Sequence, residues 1–360
     1  MPWTSPPARR GHPYHMHDAI YAQPGALRLV MRPNAAAAAA AAGRLRDRRH
    51  VWLAGIGTSW HAALVGELLF ARAGGLGARA RAAHSFELTR YWPPVGADSG
   101  VVVVSHRGSK RYSAEALAGA RAAGAVSVAV TGKDSEGLAE AEHRLVTVEQ
   151  EASGAHTVSY TCALAVLAAL AAEIGGDAET ARALDGLPDL MALLLGQESW
   201  EELAARFGER RRFLFVGGGP NTATALEAAL KMNEAAHASA AGFNCEQFLH
   251  GPWAAMEPDD LLVLVAPPGP AHERCVDAAR VAREIGTPVL ALVAEGDARI
   301  GRLAAETIAL PEVPELLSPI LAVVPLQLFT YHVALRRGAN PDTMRADEPA
   351  HGRARAALSL

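Results

Sequence analysis

The sequence predicts an α/β protein made of two copies of one unit, each a parallel sheet flanked by helices. Three observations lead there. Short apolar runs such as VWLAG (51–55), VVVVS (101–105) and VSVAVTG (126–132) alternate with stretches of helical spacing such as HAALVGELLFARA and AEALAGARAAG. Runs without polar alternation belong to strands covered on both faces, as in parallel sheets. The chain has 360 residues, half of them apolar, enough for two ordinary cores. The series also repeats: Gly55-x-Gly57 returns as Gly217-x-Gly219 at a spacing of 162 (217 − 55). The strand end Val104-Ser105 returns as Val265-Ala266 and Gly124 returns as Gly286 at nearly the same spacing, which implies a duplication.

Taken in order, residues 1–42 read as an amino-terminal arm and helix. The arm is rich in Pro, Arg and His to about residue 25, and Asn34 is placed to cap a helix over Ala35–Ala42. The first unit spans 43–185 and the second 195–335. The polar, prolyl stretch GGDAETARALDGLPD (175–189) reads as the link, and 336–360 as a non-repetitive tail.

Composition narrows the function. A net charge of −4 and a pI near 6.4 leave no basic excess for nucleic acid or a membrane surface. Cys162, Cys245 and Cys275 are far apart, with neither a disulfide framework nor a zinc knuckle in view. His12, His15 and His17 cluster without the carboxylate or Cys companions of a metal site, so no metal and no cofactor is expected. The first residues lack an apolar leader core and no later run reaches the length of a membrane span, so a cytoplasmic protein is expected.

In open parallel sheets, ligands bind beyond the carboxyl ends of the strands, where turns and helix starts present N–H groups. The first unit has GIGTS (55–59) and SHRGSK (105–110) there. Thr58, Ser59, Ser105 and Ser109 supply hydroxyls, Gly108 permits close approach, and Arg107 and Lys110 add charge, together a phosphate cradle. The equivalent turn of the second unit, APPGP (266–270), has no hydroxyl and two prolines without N–H, so phosphate is expected in the first unit alone. A dinucleotide fingerprint fails because Trp60 and Thr222 stand where its third glycine belongs, and Gly108-Ser109-Lys110 lacks P-loop spacing. In the second unit, ATALEAALKMNEAAHA puts Glu227, Lys231 and Glu234 on one helical stripe. By spacing alone this equally describes an exposed Glu–Lys ladder. His250, in the Gly-Pro turn of CEQFLHGPWAAM, adds a second proton-transfer candidate.

At these residues the chain resembles the double-SIS (sugar isomerase) family, which includes the isomerase half of glutamine–fructose-6-phosphate amidotransferase, sugar-phosphate deaminases and fructosamine-phosphate deglycases. GIGTSWHAALVGE resembles the family's G-x-G-T-S turn and helix, SHRGSK its phosphate loop, and EASGAHTVSYT its E-x-x-V-A-x-T-K-x-[FY]-T segment. ALEAALKMNEAAHASAAGFNCEQFLHGP is similar to its A-L-E-G-A-L-K-L-K-E followed by H-G-P. The resemblance implies two tandem SIS domains, each a flavodoxin-like three-layer αβα unit. It implies that Glu234 moves a proton between C1 and C2 of an open-chain sugar, that Lys231 supports it, and that His250 opens the ring from a second subunit of a homodimer. Gly57, His106, Gly154 and His156 join the ligand-lining residues by the same carry-over. The departures are Arg107 and Lys110 for a Ser and a Thr, His156 for a small hydroxyl residue, Val158 for lysine, and a tail without the lysine that forms a Schiff base. The expected activity is therefore enolisation of an amino-sugar or ketosamine phosphate with loss of amine, without glutamine. Aldose–ketose isomerisation, ammonia-dependent amination and phosphosugar sensing stay open.

Overall fold

The structure is a computed structural model describing residues 6–135, 137–197 and 199–358. Its first helix, α1 (His15–Leu45), is longer than alanine propensity suggests and contains Pro24 and Pro33. Pro24 has no N–H for the Ile20 carbonyl, and the buried Gln23 side chain donates to that carbonyl instead, at 2.9 Å. Asn34 is therefore not the cap expected from the sequence. It lies inside the helix, donating to Val146 O and accepting from Val146 N, both at 2.7 Å. Burial of the helix against the first unit overrides the local capping signal.

The first unit continues with β1 (His50–Gly55), α2 (Thr58–Arg72), β2 (Ala80–His84), α3 (Ser85–Arg90), β3 (Ser99–Ser105), α4 (Arg111–Ala122), β4 (Val126–Thr131), β5 (His143–Val146) and α5 (Val158–Gly175). Then come α6 (Ala178–Leu195) and α7 (Trp200–Phe207). The second unit comprises β6 (Phe213–Gly217), α8 (Asn221–Ala235), β7 (Ala240–Asn244), α9 (Cys245–Leu249), β8 (Leu261–Ala266), α10 (His272–Ile285), β9 (Val289–Ala294), α11 (Ala298–Gly301), β10 (Glu306–Leu310) and α12 (Ser318–Arg336). The tail carries α13 (Pro349–Ala356).

Both sheets are five-stranded and parallel, ordered β2-β1-β3-β4-β5 and β7-β6-β8-β9-β10. These are the same flavodoxin-like order, with its switch point beside the central first strand. The registers repeat as well: Gly55 pairs with His84 as Gly217 pairs with Asn244. The expected duplication is thus a structural one.

Period-2 geometry divides each central strand between two cores. Val102 and Val104 face a core shared by both units, whereas Val101 and Val103 face an outer one. Val263 and Val265 likewise face the shared core, and Leu262 and Leu264 the outer core of the second sheet. The shared core is filled by α1, α5 and α12. The stretch read as a link forms α6, capped by the Asp177 carboxylate on Glu179 N and Thr180 N. Its Leu184, Leu187, Pro188, Met191 and Leu194 are buried, while Asp185, Gly186 and Asp189 sit on the outer face of an amphipathic helix. The expectation that no run reaches spanning length is also corrected. Val158–Gly175 and Glu315–Arg336 are long and apolar enough to cross a membrane, but 83% and 89% of their windows are buried inside the protein. Helices apolar all round are what a two-layer core requires at its centre.

Candidate active site

The end of β1 turns sharply into α2. A Cβ on Gly55 would stand 2.2 Å from Ser59 O, and Gly57 has φ +57°, so both positions need glycine. The turn presents Thr58 and Ser59 at the start of α2, with His61 one helical turn on.

These side chains meet α8 from the other unit. Thr58 Oγ1 donates to Glu227 Oε1 at 3.1 Å, and His61 Nδ1 lies 2.6 Å from Glu227 Oε2. Lys231 Nζ is 3.6 Å from Glu227 and is hydrogen-bonded to Glu234. Glu227 is 0% and Lys231 1% exposed, which removes the solvated-ladder reading of the stripe. Burial would depress the Lys231 ammonium, but the Glu234 and Glu227 carboxylates outweigh it and hold its pKa above the usual lysine range. Burial raises the Glu234 carboxyl above its ordinary value, and Lys231 only partly offsets this. Such a poise suits a proton-transferring carboxylate.

A small cavity of about 20 Å³ lies beside this cluster, lined by Thr58, Ser59, His106, His156, Ser159 and Tyr160. It has room for about one water. His106 and His156 meet edge to face at 5.3 Å. The His106 Nε2 and Tyr160 hydroxyl are buried with no hydrogen-bond partner among the described residues. Burial drives the His156 pKa down to about 4, with Glu151 opposing and His106, Lys231 and Arg107 reinforcing the shift. Glu151 accepts from the amides of Thr157 and Ser159 and from both hydroxyls, capping α5 and fixing the loop that carries His156.

The other anticipated residues are more dispersed. Ser105 is buried, and its carbonyl accepts from Gly108 N and from Thr131 Oγ1. Gly108 has φ +69°, and a Cβ there would meet Ser135 Oγ at 2.1 Å. Arg107 and Ser109 are exposed and Lys110 is half-buried at the α4 start. Burial lowers the Lys110 pKa, reinforced by Arg107 and by Arg355 of the tail. The Gly154 amide donates to Asp342 O at 2.7 Å, so the tail rests on the loop that carries His156. His250 follows α9, 69% exposed at its side chain, with Nε2 2.9 Å from Glu246. Among the described residues it shares no hydrogen bond or ion pair with Glu234 or Lys231. The structure therefore joins Glu234 and Lys231 but not His250 within one chain.

The SIS domain family model matches residues 44–173 and 207–337. The chain belongs to the SIS-domain family. It is 31% identical over 357 residues to the glutamine–fructose-6-phosphate aminotransferase (isomerizing) of Gloeobacter violaceus, covering 94% of this chain and 58% of that protein. The chain thus spans a little over half the length of this relative. Among solved structures it is similar to the C-terminal domain of glucosamine-fructose-6-phosphate aminotransferase from Francisella tularensis, with TM-score 0.82, 20% identity and coverage of 94% and 99% of the two chains. It is also similar to glucosamine-6-phosphate deaminase from Thermotoga maritima, with TM-score 0.74, 22% identity and coverage of 91% and 97%.

In the second SIS domain the corresponding space is lined mainly by proline and aliphatic residues, with Glu312 and Ser318. The cavity of about 20 Å³ beyond its strands is lined by Pro267, Pro268, Pro311, Val313 and Leu321 among others. The Glu315 carboxylate crowds its glycine turns: a Cβ on Gly269 would stand 2.5 Å from Oε1. Sequence reasoning gave no role to His61, Glu151 or Tyr160. The first two had a usable signal, His61 lying three residues beyond Thr58 on a helix start and Glu151 preceding a Thr-x-Ser helix start.

Proposed function

We propose that this SIS protein processes a phosphorylated amino sugar or ketosamine: the first domain holds the phosphate, Glu234 enolises the open-chain sugar to an imine, and water hydrolyses that imine to a carbonyl with release of the amine. The observation that carries this reading is the buried Glu227–Lys231–Glu234 series, stitched through Thr58 and His61 to the turn that lines the cradle. Lys231 links Glu227, beside the ligand loop, to Glu234, whose carboxyl burial raises, and removal of a carbon-bound proton needs a base of intermediate strength. Arg107, Lys110, Ser105 and Ser109 receive the phosphate, and the neutral His156 donates or accepts at the sugar. No glutamine-derived ammonia is required. His250, exposed and held only by Glu246, serves the site of a second subunit in a cytoplasmic homodimer.

The test is incubation with amino-sugar and fructosamine 6-phosphates in deuterated water, followed by NMR. Released amine with deuterium at C1 or C2 is the expected result. Interconversion of an added aldose and ketose 6-phosphate, with no amine released from the amino sugars, would assign plain isomerisation, and tight binding without any exchange would make the protein a sensor.

A further inference from the structure

Beyond the end of α8, away from the sugar-phosphate cradle, lies a cavity of about 620 Å³. Its walls come from four separate segments: the amino-terminal arm, the residues after α8, the turn after α12, and the tail. That volume is within the range of small-molecule sites. Its polar groups are unevenly satisfied. The Arg345 guanidinium is held by Glu348 through two bonds of 2.8 and 2.6 Å, and Asp347 accepts from the Thr343 hydroxyl at 2.6 Å. Arg337 spends Nε on Gly208 O and Nη2 on Arg210 O, leaving Nη1 without a partner among the described residues. Arg10 is exposed and forms no ion pair among them.

His237 is the most informative wall residue. Its Nε2 is buried with no partner among the described residues, and its backbone has φ +52°, a left-handed value uncommon for a residue with a side chain. His237 lines the cavity, and its buried, unpartnered ring nitrogen costs free energy that a turn of the ring toward an occupant would relieve. Burial holds the His237 pKa below its ordinary value, Arg345 adding to this while Glu348 and Asp347 oppose it. An anion beside the ring would reverse that shift.

We propose that this cavity is a second binding site, taking a small phosphate- or carboxylate-bearing metabolite between Arg10, Arg337 and the His237 ring. Its ligand is separate from the sugar phosphate of the first domain. Because His237 follows Glu234 by three residues, an occupant bears on the end of the helix that carries the candidate base.

The experiment uses the full chain with Arg107 and Lys110 both changed to Ala, so that anion binding at the cradle is suppressed. Inorganic phosphate and, separately, malonate are titrated while the histidine side-chain NMR signals are followed, with His237 assigned from its loss in His237→Asn. Asn suits this substitution because it tolerates left-handed backbone. The expected result is a saturable shift of the His237 signals toward the protonated form with one or both anions, phosphate alone marking a phosphorylated ligand and malonate alone a carboxylate. Adding Arg10→Ala should weaken that binding about tenfold, the loss of one charge-assisted hydrogen bond. No His237 response to either anion overturns the site, as does a response that Arg10→Ala leaves unchanged. Neither outcome depends on turnover of any sugar.

Discussion

The two SIS domains share strand order, register and a glycine turn at the end of the first strand, yet their ligand mouths have opposite character. In the first, Thr58, Ser59, His106 and His156 line the space beyond the strands, and buried polar atoms there await partners. In the second, three prolines and four aliphatic residues line it beside Glu312 and Ser318, and the protein's own Glu315 crowds the glycine turns. The second domain has instead committed its first helix, α8, to carrying buried charge toward the first. A duplicated fold conserves the backbone beyond the strands, while single side chains decide what each copy presents there, and the proposed division gives binding to the first copy and the reactive group to the second.

The largest expected effect tests that division directly. Glu234→Gln should lower turnover and solvent deuterium exchange by roughly 10²- to 10⁴-fold and leave phosphosugar binding within a few-fold of the original. A comparable loss of binding would show that α8 belongs to the binding half. Next, changing Arg107 and Lys110 together to Ala should weaken phosphosugar binding about ten- to a hundredfold and hardly affect the unphosphorylated sugar, because both cations are only partly shielded. Calorimetric titration of the two sugars reads this, and equal losses would move the phosphate elsewhere.

Where the domains are alike, substitutions should behave alike. Gly55→Ala and Gly217→Ala each place a Cβ within 2.3 Å of a backbone oxygen, that of Ser59 and that of Asn221. Each should lose about 3 kcal/mol in denaturant unfolding, the upper part of the overpacking range. A large loss at one and none at the other would break the structural equivalence.

The smallest effect concerns pH. The folded His156 pKa of about 4 lies below the ordinary 6.5, so the unfolded chain binds the extra proton between these values. Stability then falls as pH drops through that window and is fully present above pH 6.5. The His156 contribution should amount to about 2 kcal/mol between pH 7 and pH 5, and His156→Ser should flatten that part of the profile. No histidine lines the second domain's cavity among the described residues, and an unchanged profile would assign the acid sensitivity to groups other than His156, such as the buried His106.

Sequence patterning alone determined the two-fold α/β architecture, because strands buried on both faces and a repeat near 162 residues require no knowledge of long-range contacts. It also singled out the loops proposed as a cradle, since hydroxyls, glycine and cations at strand ends are local features. It placed a cap at Asn34 and a link at 175–189, where propensity yielded to burial of a whole helix face. Above all, spacing could not tell an exposed Glu–Lys ladder from a buried charged series. Periodicity fixes which residues share a helical face, but not whether that face meets water or another domain. Only tertiary packing pressed α8 against the turn holding Thr58 and His61, burying Glu227 and Lys231, and desolvation there raised the Glu234 carboxyl.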